Sequence, residues 1–172
     1  LWLGHISKLY YKIEIKSFVT QIGEERSESF SHSKISEILQ KIKKQNDTVG
    51  AAMRVEIENL PVGIGDPYFR KLQSGLAQAM FSINALKGFE YGEGFRSASM
   101  KGSECNDVFI RKKDKIRCKT NHSGGIQGGI SNGEKVYFNV AFKPIPTIMQ
   151  TQTTVDASGN AVEYNIEGRH DV

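Results

Sequence analysis

Apolar residues alternate in some stretches of this chain and recur at spacings of three and four in others, so the pattern switches repeatedly between strand and helix. Ile15, Phe18 and Thr20 mark a half-buried strand over Glu14–Ile22. Ile35, Ile38, Leu39 and Ile42 share one face of a helix over Lys34–Lys44, with Ser33 as its expected N-cap and Asn46-Asp-Thr as its end. Met53, Val55 and Ile57 alternate with Arg54, Glu56 and Glu58 in a strand over Gly50–Leu60. After the turn-rich Pro61–Pro67, the spacing of Phe69, Leu72, Leu76, Met80 and Ile83 predicts a long helix over Tyr68–Leu86, stopped by Gly88. Phe89–Met100 reads as strand-like pieces interrupted by Gly92 and Gly94. Lys135–Phe142 alternates as a strand, and Thr151–Val155 with Ala161–Ile166 reads as a hairpin. Leu1–Tyr11 resembles the end of a helix. Short turns between strands, without a strict βαβ repeat, predict one α+β domain of antiparallel sheets packed on long helices.

Composition narrows the function classes. The chain of 172 residues is long enough to bury a core as a single domain. A formal net charge of +4 suits an anionic ligand as readily as nucleic acid. The densest basic cluster, Arg111–Lys119, lacks interleaved aromatics and reads as a solvated loop, so no nucleic-acid partner is expected. The polar segment Lys101–Lys119 is expected to lack fixed structure without a ligand. No apolar run is long enough for a membrane span, and the first residues do not form a secretory signal, so no membrane partner is expected. Cys105 and Cys118 have no companion Cys-x-x-Cys pair, and His5, His32, His122 and His170 show no metal spacing; no metal site is expected. Free thiols without an export signal point to the cytoplasm.

The segment Thr120–Gly133 (Thr-Asn-His-Ser-Gly-Gly-Ile-Gln-Gly-Gly-Ile-Ser-Asn-Gly) contains two Gly-Gly pairs four residues apart. Such a run opposes ordinary helix and strand. It reads either as a linker with tight turns or as backbone that approaches a ligand, with N–H groups free to nest an anion. No GxGxxG fingerprint in strand–turn–helix context and no Walker lysine accompanies it.

The order of segments is more specific than any one of them. Ser82–Gly88 (Ser-Ile-Asn-Ala-Leu-Lys-Gly) is followed by Gly92-Glu-Gly-Phe95, Lys101-Gly-Ser-Glu104 and Asn106-Asp107. Then come the glycine run, Phe142-Lys-Pro-Ile-Pro-Thr147 and Gly168-Arg-His-Asp171. From about Glu14 onward this series resembles the chorismate synthase family. The resemblance implies a lyase of aromatic biosynthesis that converts 5-enolpyruvylshikimate-3-phosphate to chorismate and phosphate by a 1,4-anti elimination, with reduced FMN required and no net redox change. It implies a sandwich-like core and a cytoplasmic homotetramer. Whether the flavin is reduced by an intrinsic NADPH-dependent (NADP-linked) activity or from outside stays open.

Carried over by position, the family's flavin contacts fall on Asn84, Ala85, Gly128, Lys143, Pro144, Ile145, Pro146, Thr147 and Arg169. Asp171 matches the aspartate proposed for proton transfer beside the flavin, making it the one expected catalytic residue. Lys143 and Thr147 offer a charge and donors to a flavin edge, and the prolines stiffen the loop that presents them.

The family's Gly-Glu-Ser-His-Gly and Arg-Ser-Ser-Ala-Arg segments do not occur here, nor does the proline that usually follows Arg-His-Asp. The expectation is therefore an internal piece lacking about a third of the family's length at its start and a closing helical segment, for which a non-catalytic binding or assembly role is the alternative. The 172-residue chain alone is expected to release no phosphate from the enolpyruvyl substrate with reduced FMN. A phosphate assay giving turnover above the enzyme-free blank would overturn that expectation.

Overall fold

The computed structural model describes residues 12–166, so the expected helix end at Leu1–Tyr11 and the segment Gly168–Asp171 lie outside the described residues. In chain order the strands are β1 (Glu14–Ile22), β2 (Glu25–Arg26), β3 (Ala51–Glu58), β4 (Leu86–Tyr91), β5 (Phe109–Lys112), β6 (Lys115–Cys118), β7 (Ile126–Gln127), β8 (Ile130–Ser131), β9 (Val136–Phe142), β10 (Gln152–Val155) and β11 (Ala161–Tyr164). The helices are α1 (His32–Lys44), α2 (Leu72–Phe81) and the single turn α3 (Gly102–Cys105). One five-stranded sheet, in the order β2-β1-β3-β9-β4, is antiparallel throughout. The pairs β5–β6, β7–β8 and β10–β11 are separate hairpins.

Alternation along the strands divides this sheet into an apolar and a polar face. Val55, Phe138 and Tyr91 lie in one register row, Met53, Val140 and Phe89 in the next, and Ile57 faces Val136. Val136 and Phe138 are the most enclosed, at 0% and 2% exposure. Leu72, Leu76 and Met80 of α2 pack against this core. Each such side chain taken fully from water contributes about 1.5–3 kcal/mol. The other face carries the row Phe18, Arg54, Asn139 and Glu90. There Arg54 stacks 4.2 Å from the centre of the Tyr137 ring, and Glu56 takes both Arg54 Nε at 3.0 Å and Lys135 Nζ at 2.7 Å. An antiparallel sheet packed with helices is the α+β architecture expected from the sequence.

Four local expectations change. The helix expected over Tyr68–Leu86 is only α2, 10 residues long. Before it, Asp66 turns the chain by accepting the Tyr68 N–H on Oδ1 and donating its own N–H to Arg70 O. After it, Ala85 adopts φ +67°, outside the helical region, so the chain reverses and Leu86 opens β4; Gly88 is a strand residue, not a helix stop. Ser31, not Ser33, caps α1, its Oγ accepting the Lys34 N–H at 3.2 Å. Strand structure beyond Phe89 runs only to Tyr91, and Gly94–Ser99 coils as a 3-10 helix. Lys101–Lys119, expected without fixed structure, forms α3 and the β5–β6 hairpin. Glu134 anchors that hairpin, accepting the Cys118 N–H at 2.9 Å and pairing with Arg117 at 3.2 Å.

The glycine at the β4 exit permits a backbone contact that no side chain would tolerate. Gly92 has φ +57°, and a Cβ there would overlap the His122 carbonyl and the backbone of Ser123 and Gly124. Gly63 has φ +95°, and among the described residues nothing crowds the space beside it. Gly92→Ala is expected to destabilise by about 2–4 kcal/mol, through strain and lost contact. Gly63→Ala is expected to cost about 1–2 kcal/mol, from its dihedral alone. Urea midpoints of the two variants measure the difference.

Candidate functional site

Ala85 marks where two of the sequence-expected segments meet. Its carbonyl accepts the Lys143 N–H at 3.0 Å, directly beside the Leu86–Phe142 pair that starts the β4–β9 ladder. Asn84 and Ala85 are thereby held against the loop Lys143–Thr147. Pro144, Ile145 and Pro146 are exposed, and Lys143 and Thr147 keep partial or full access to solvent. Among the described residues Lys143 has no ion-pair partner, which leaves a cation beside the exposed apolar edge of Ile145.

A segment not singled out from sequence holds this loop from behind. Thr48 Oγ1 donates to Ile145 O at 2.6 Å, and Met149 N donates to Asn46 O at 3.2 Å. Gly50 lets Phe142 and Pro144 approach, since a Cβ there would lie 2.8 Å from Phe142 O and 3.2 Å from Pro144 Cδ. In the sequence Asn46–Gly50 is only a helix end followed by a strand start. The small residue at Gly50 is the one available signal.

Gly128 stands apart from this junction. Gly128 and Gly129, at φ +61° and +89°, form the two-residue turn between β7 and β8, as a type I′ hairpin turn requires. Gly129 O accepts the N–H of Leu72, the first residue of α2, at 2.8 Å. The Asn84–Lys143 junction follows the opposite end of α2, about 15 Å along the helix axis. A Cβ on Gly128 would meet nothing within 4 Å among the described residues, so open space lies beside it. Arg169 and Asp171 lie outside the described residues.

The first half of the glycine run does not present the free nest of N–H groups that its composition suggests. Gly124 N donates to Asn121 O at 3.1 Å, Gly125 N to Asn121 Oδ1 at 2.8 Å, and Ile126 N to Ser123 O at 3.4 Å. Asp107, only 5% exposed, fixes the start of the run. Its Oδ1 accepts Thr120 Oγ1 at 2.6 Å and the His122 N–H at 2.8 Å; its Oδ2 accepts Ser123 N–H at 2.9 Å and Ser123 Oγ at 2.7 Å. Burial opposes ionisation of Asp107, but the bonds from Ser123, Thr120 and the His122 backbone outweigh it and hold its carboxyl below the ordinary value. Alongside, His122 Nδ1 lies 2.9 Å from Glu93 Oε1. The bond to His122, together with the Arg96 guanidinium on the other oxygen, holds the Glu93 carboxyl low. An ionised carboxylate only accepts, so His122 Nδ1 carries the proton. Glu93 and Asp107 fall in motifs that the sequence leaves without individual roles, because their partners come from a distant segment.

Fold and junction together define an α+β protein with a cation-bearing, proline-stiffened loop at one corner of its sheet. Comparison with known proteins gives this architecture a family. The chorismate synthase family model matches residues 3–172. A chorismate synthase of Azobacteroides pseudotrichonymphae is 52% identical over 135 residues, covering 78% of this chain and 38% of that protein. One from Christiangramia forsetii is 42% identical over 189 aligned positions, covering 98% of this chain and 52% of the relative. A crystal structure of chorismate synthase superposes with a TM-score of 0.74 at 29% identity, over 81% of this chain and 52% of that one. The chain belongs to the chorismate synthase family. It spans between about two-fifths and one-half of the length of these relatives.

The lowered carboxyl of Asp107 makes its contribution to stability depend on pH. A carboxyl held lower in the folded state stabilises above its unfolded value, near pH 4, and loses that contribution as pH falls through the folded value. Asp107→Asn is therefore expected to cost about 2–3 kcal/mol at pH 7. The gap to the wild type should narrow at about pH 3 and below. Urea unfolding at the two pH values tests this; a gap independent of pH would contradict the clamp.

Proposed function

We propose that this chain supplies the flavin-contacting part of a chorismate synthase, the enzyme that eliminates phosphate from 5-enolpyruvylshikimate-3-phosphate to give chorismate. The observation that carries this reading is the Lys143 N–H to Ala85 O bond, which unites two segments assigned to flavin contact by family resemblance. The residues present suit reduced FMN. Lys143, which has no ion-pair partner among the described residues, offers a cation to an anionic or carbonyl edge, Ile145 offers apolar surface, and Asn84 offers an amide. When bound, reduced FMN supplies the electron density that the elimination requires.

What the chain's own residues contribute is binding and orientation. Pro144 and Pro146 limit the freedom of the loop, and the Thr48–Ile145 bond ties it to the segment that precedes β3. Gly128 is assigned to close backbone approach, with Arg169 and Asp171 completing the set by charge and proton transfer. Holding a cation where negative charge gathers is what an elimination expelling phosphate demands. Phe69 and Tyr68, 96% and 80% exposed, are apolar surface of the kind that association covers, which supports the homotetramer. Among the described residues no helix is long and apolar enough to cross a membrane. A cytoplasmic location completes this reading.

Flavin fluorescence tests the junction. FMN titrated into the chain is expected to be quenched saturably, and Lys143→Ala to weaken binding about tenfold, the loss of one charge-assisted contact. The effect should shrink at high salt. Binding that is unchanged in Lys143→Ala, or absent from the chain, would sink the assignment.

A further inference from the structure

Two hairpins stand apart from the five-stranded sheet, and their charges are opposite. Val108–Lys119, which contains β5–β6, holds six lysines and arginines against one aspartate, an excess larger than the chain's net charge of +4. Gln152–Tyr164, the β10–β11 hairpin, holds Asp156 and Glu163 and no basic residue. Each hairpin also carries apolar side chains into solvent. Phe109 and Ile116, on one face of the basic hairpin, are 61% and 77% exposed; Val155, which shares a face with Glu163 on the acidic one, is 63% exposed. A two-stranded hairpin alone in water is marginal, and it gains from a surface that covers its apolar side chains.

The two surfaces do not find each other within one chain. Glu134 roots the basic hairpin just before β9 begins. The bonds from Met149 N to Asn46 O and from Gln150 Nε2 to Gln45 O root the acidic one near where β9 ends. The length of β9, about 20 Å, lies between those roots. Among the described residues no hydrogen bond or ion pair joins the two hairpins, and Lys112, Lys113, Lys115 and Glu163 have no ion-pair partner. Arg111 has only Asp114, 3.8 Å away with both side chains largely in solvent, a contact worth little. A second copy supplies the missing complement to both hairpins at once. About a two-fold axis the basic hairpin of each chain meets the acidic hairpin of the other, so the contact closes at two copies. We infer that two copies of this chain associate in this way, the face of β5–β6 that bears Phe109, Arg111 and Ile116 lying on the face of β10–β11 that bears Val155 and Glu163. These surfaces are separate from Tyr68 and Phe69 and from the Lys143 loop.

Sedimentation velocity of the 172-residue chain over about 1–100 μM tests this contact. The series is run in a Phe69→Ala background, which removes the surface assigned above to the tetramer, so the two kinds of association are read separately. The chain is expected to pass from monomer to dimer as concentration rises, and added salt should oppose the dimer. Arg111→Glu and Glu163→Arg, made separately, should each weaken it at least tenfold, because each reversal strikes both contacts of the two-fold pair. The double variant Arg111→Glu with Glu163→Arg restores opposite charges across the contact and should recover the dimer. Both positions are exposed, so the reversals leave the core untouched, and recovery in the double variant excludes misfolding as the cause of the losses. Lys143→Ala should leave the dimer unchanged, which keeps this result distinct from the flavin titration. A monomer at every concentration, single reversals without effect, or a double variant as weak as the single ones would each overturn the inference.

Discussion

Strand β9 is the constraint on which the rest of the structure depends. It lies between β3 and β4, and its Val136, Phe138 and Val140 form the middle of the core. The same strand that fills the core sends its C-terminal end into the Lys143 loop and receives the glycine run at its start. Packing and site geometry are therefore coupled through one register. A slip by one residue would expose Phe138 and at the same time break the Lys143–Ala85 bond.

The main strands are legible in the sequence because period-two alternation survives in a half-buried antiparallel sheet. Val136, Phe138, Val140 and Phe142 announce β9 without help from any other segment. The helix before β4 is shorter than its pattern because apolar spacing continues through Ile83 and Leu86, while the event that follows α2 is a backbone dihedral at Ala85. Alanine is the best helix former, so nothing in its identity signals a left-handed turn. The Lys101–Lys119 segment differs for another reason. Its polarity is real, but Glu134 organises it from outside and Asp107 from its own middle, through bonds that composition does not encode.

The glycine run shows how a motif can combine two jobs. Its first pair allows Gly92 and Gly124 to touch, which welds the run to the end of β4. Its second pair makes a tight turn that reaches the start of α2. Sequence order is enough to associate this run with a family, yet only geometry separates the glycines required by backbone contact from Gly128, which faces open space. Of the residues carried over from the family, the structure joins Asn84 and Ala85 to Lys143 and sets Gly128 at the other end of α2.

The placement of β9 also has a consequence for how the chain folds. Its neighbours β3 and β4 are made earlier in the chain, and they do not pair with each other in the finished sheet. Until β9 arrives, both present unpaired edges, so the sheet cannot close during synthesis before the ribosome has released Phe142. The hairpins β5–β6 and β7–β8 lie in the intervening segment and can form locally on a microsecond scale. Each one that forms shortens the effective loop that must close when β9 docks. Hairpins in the segment between β4 and β9 therefore lower the loop-closure cost of bringing together the ends that the core holds.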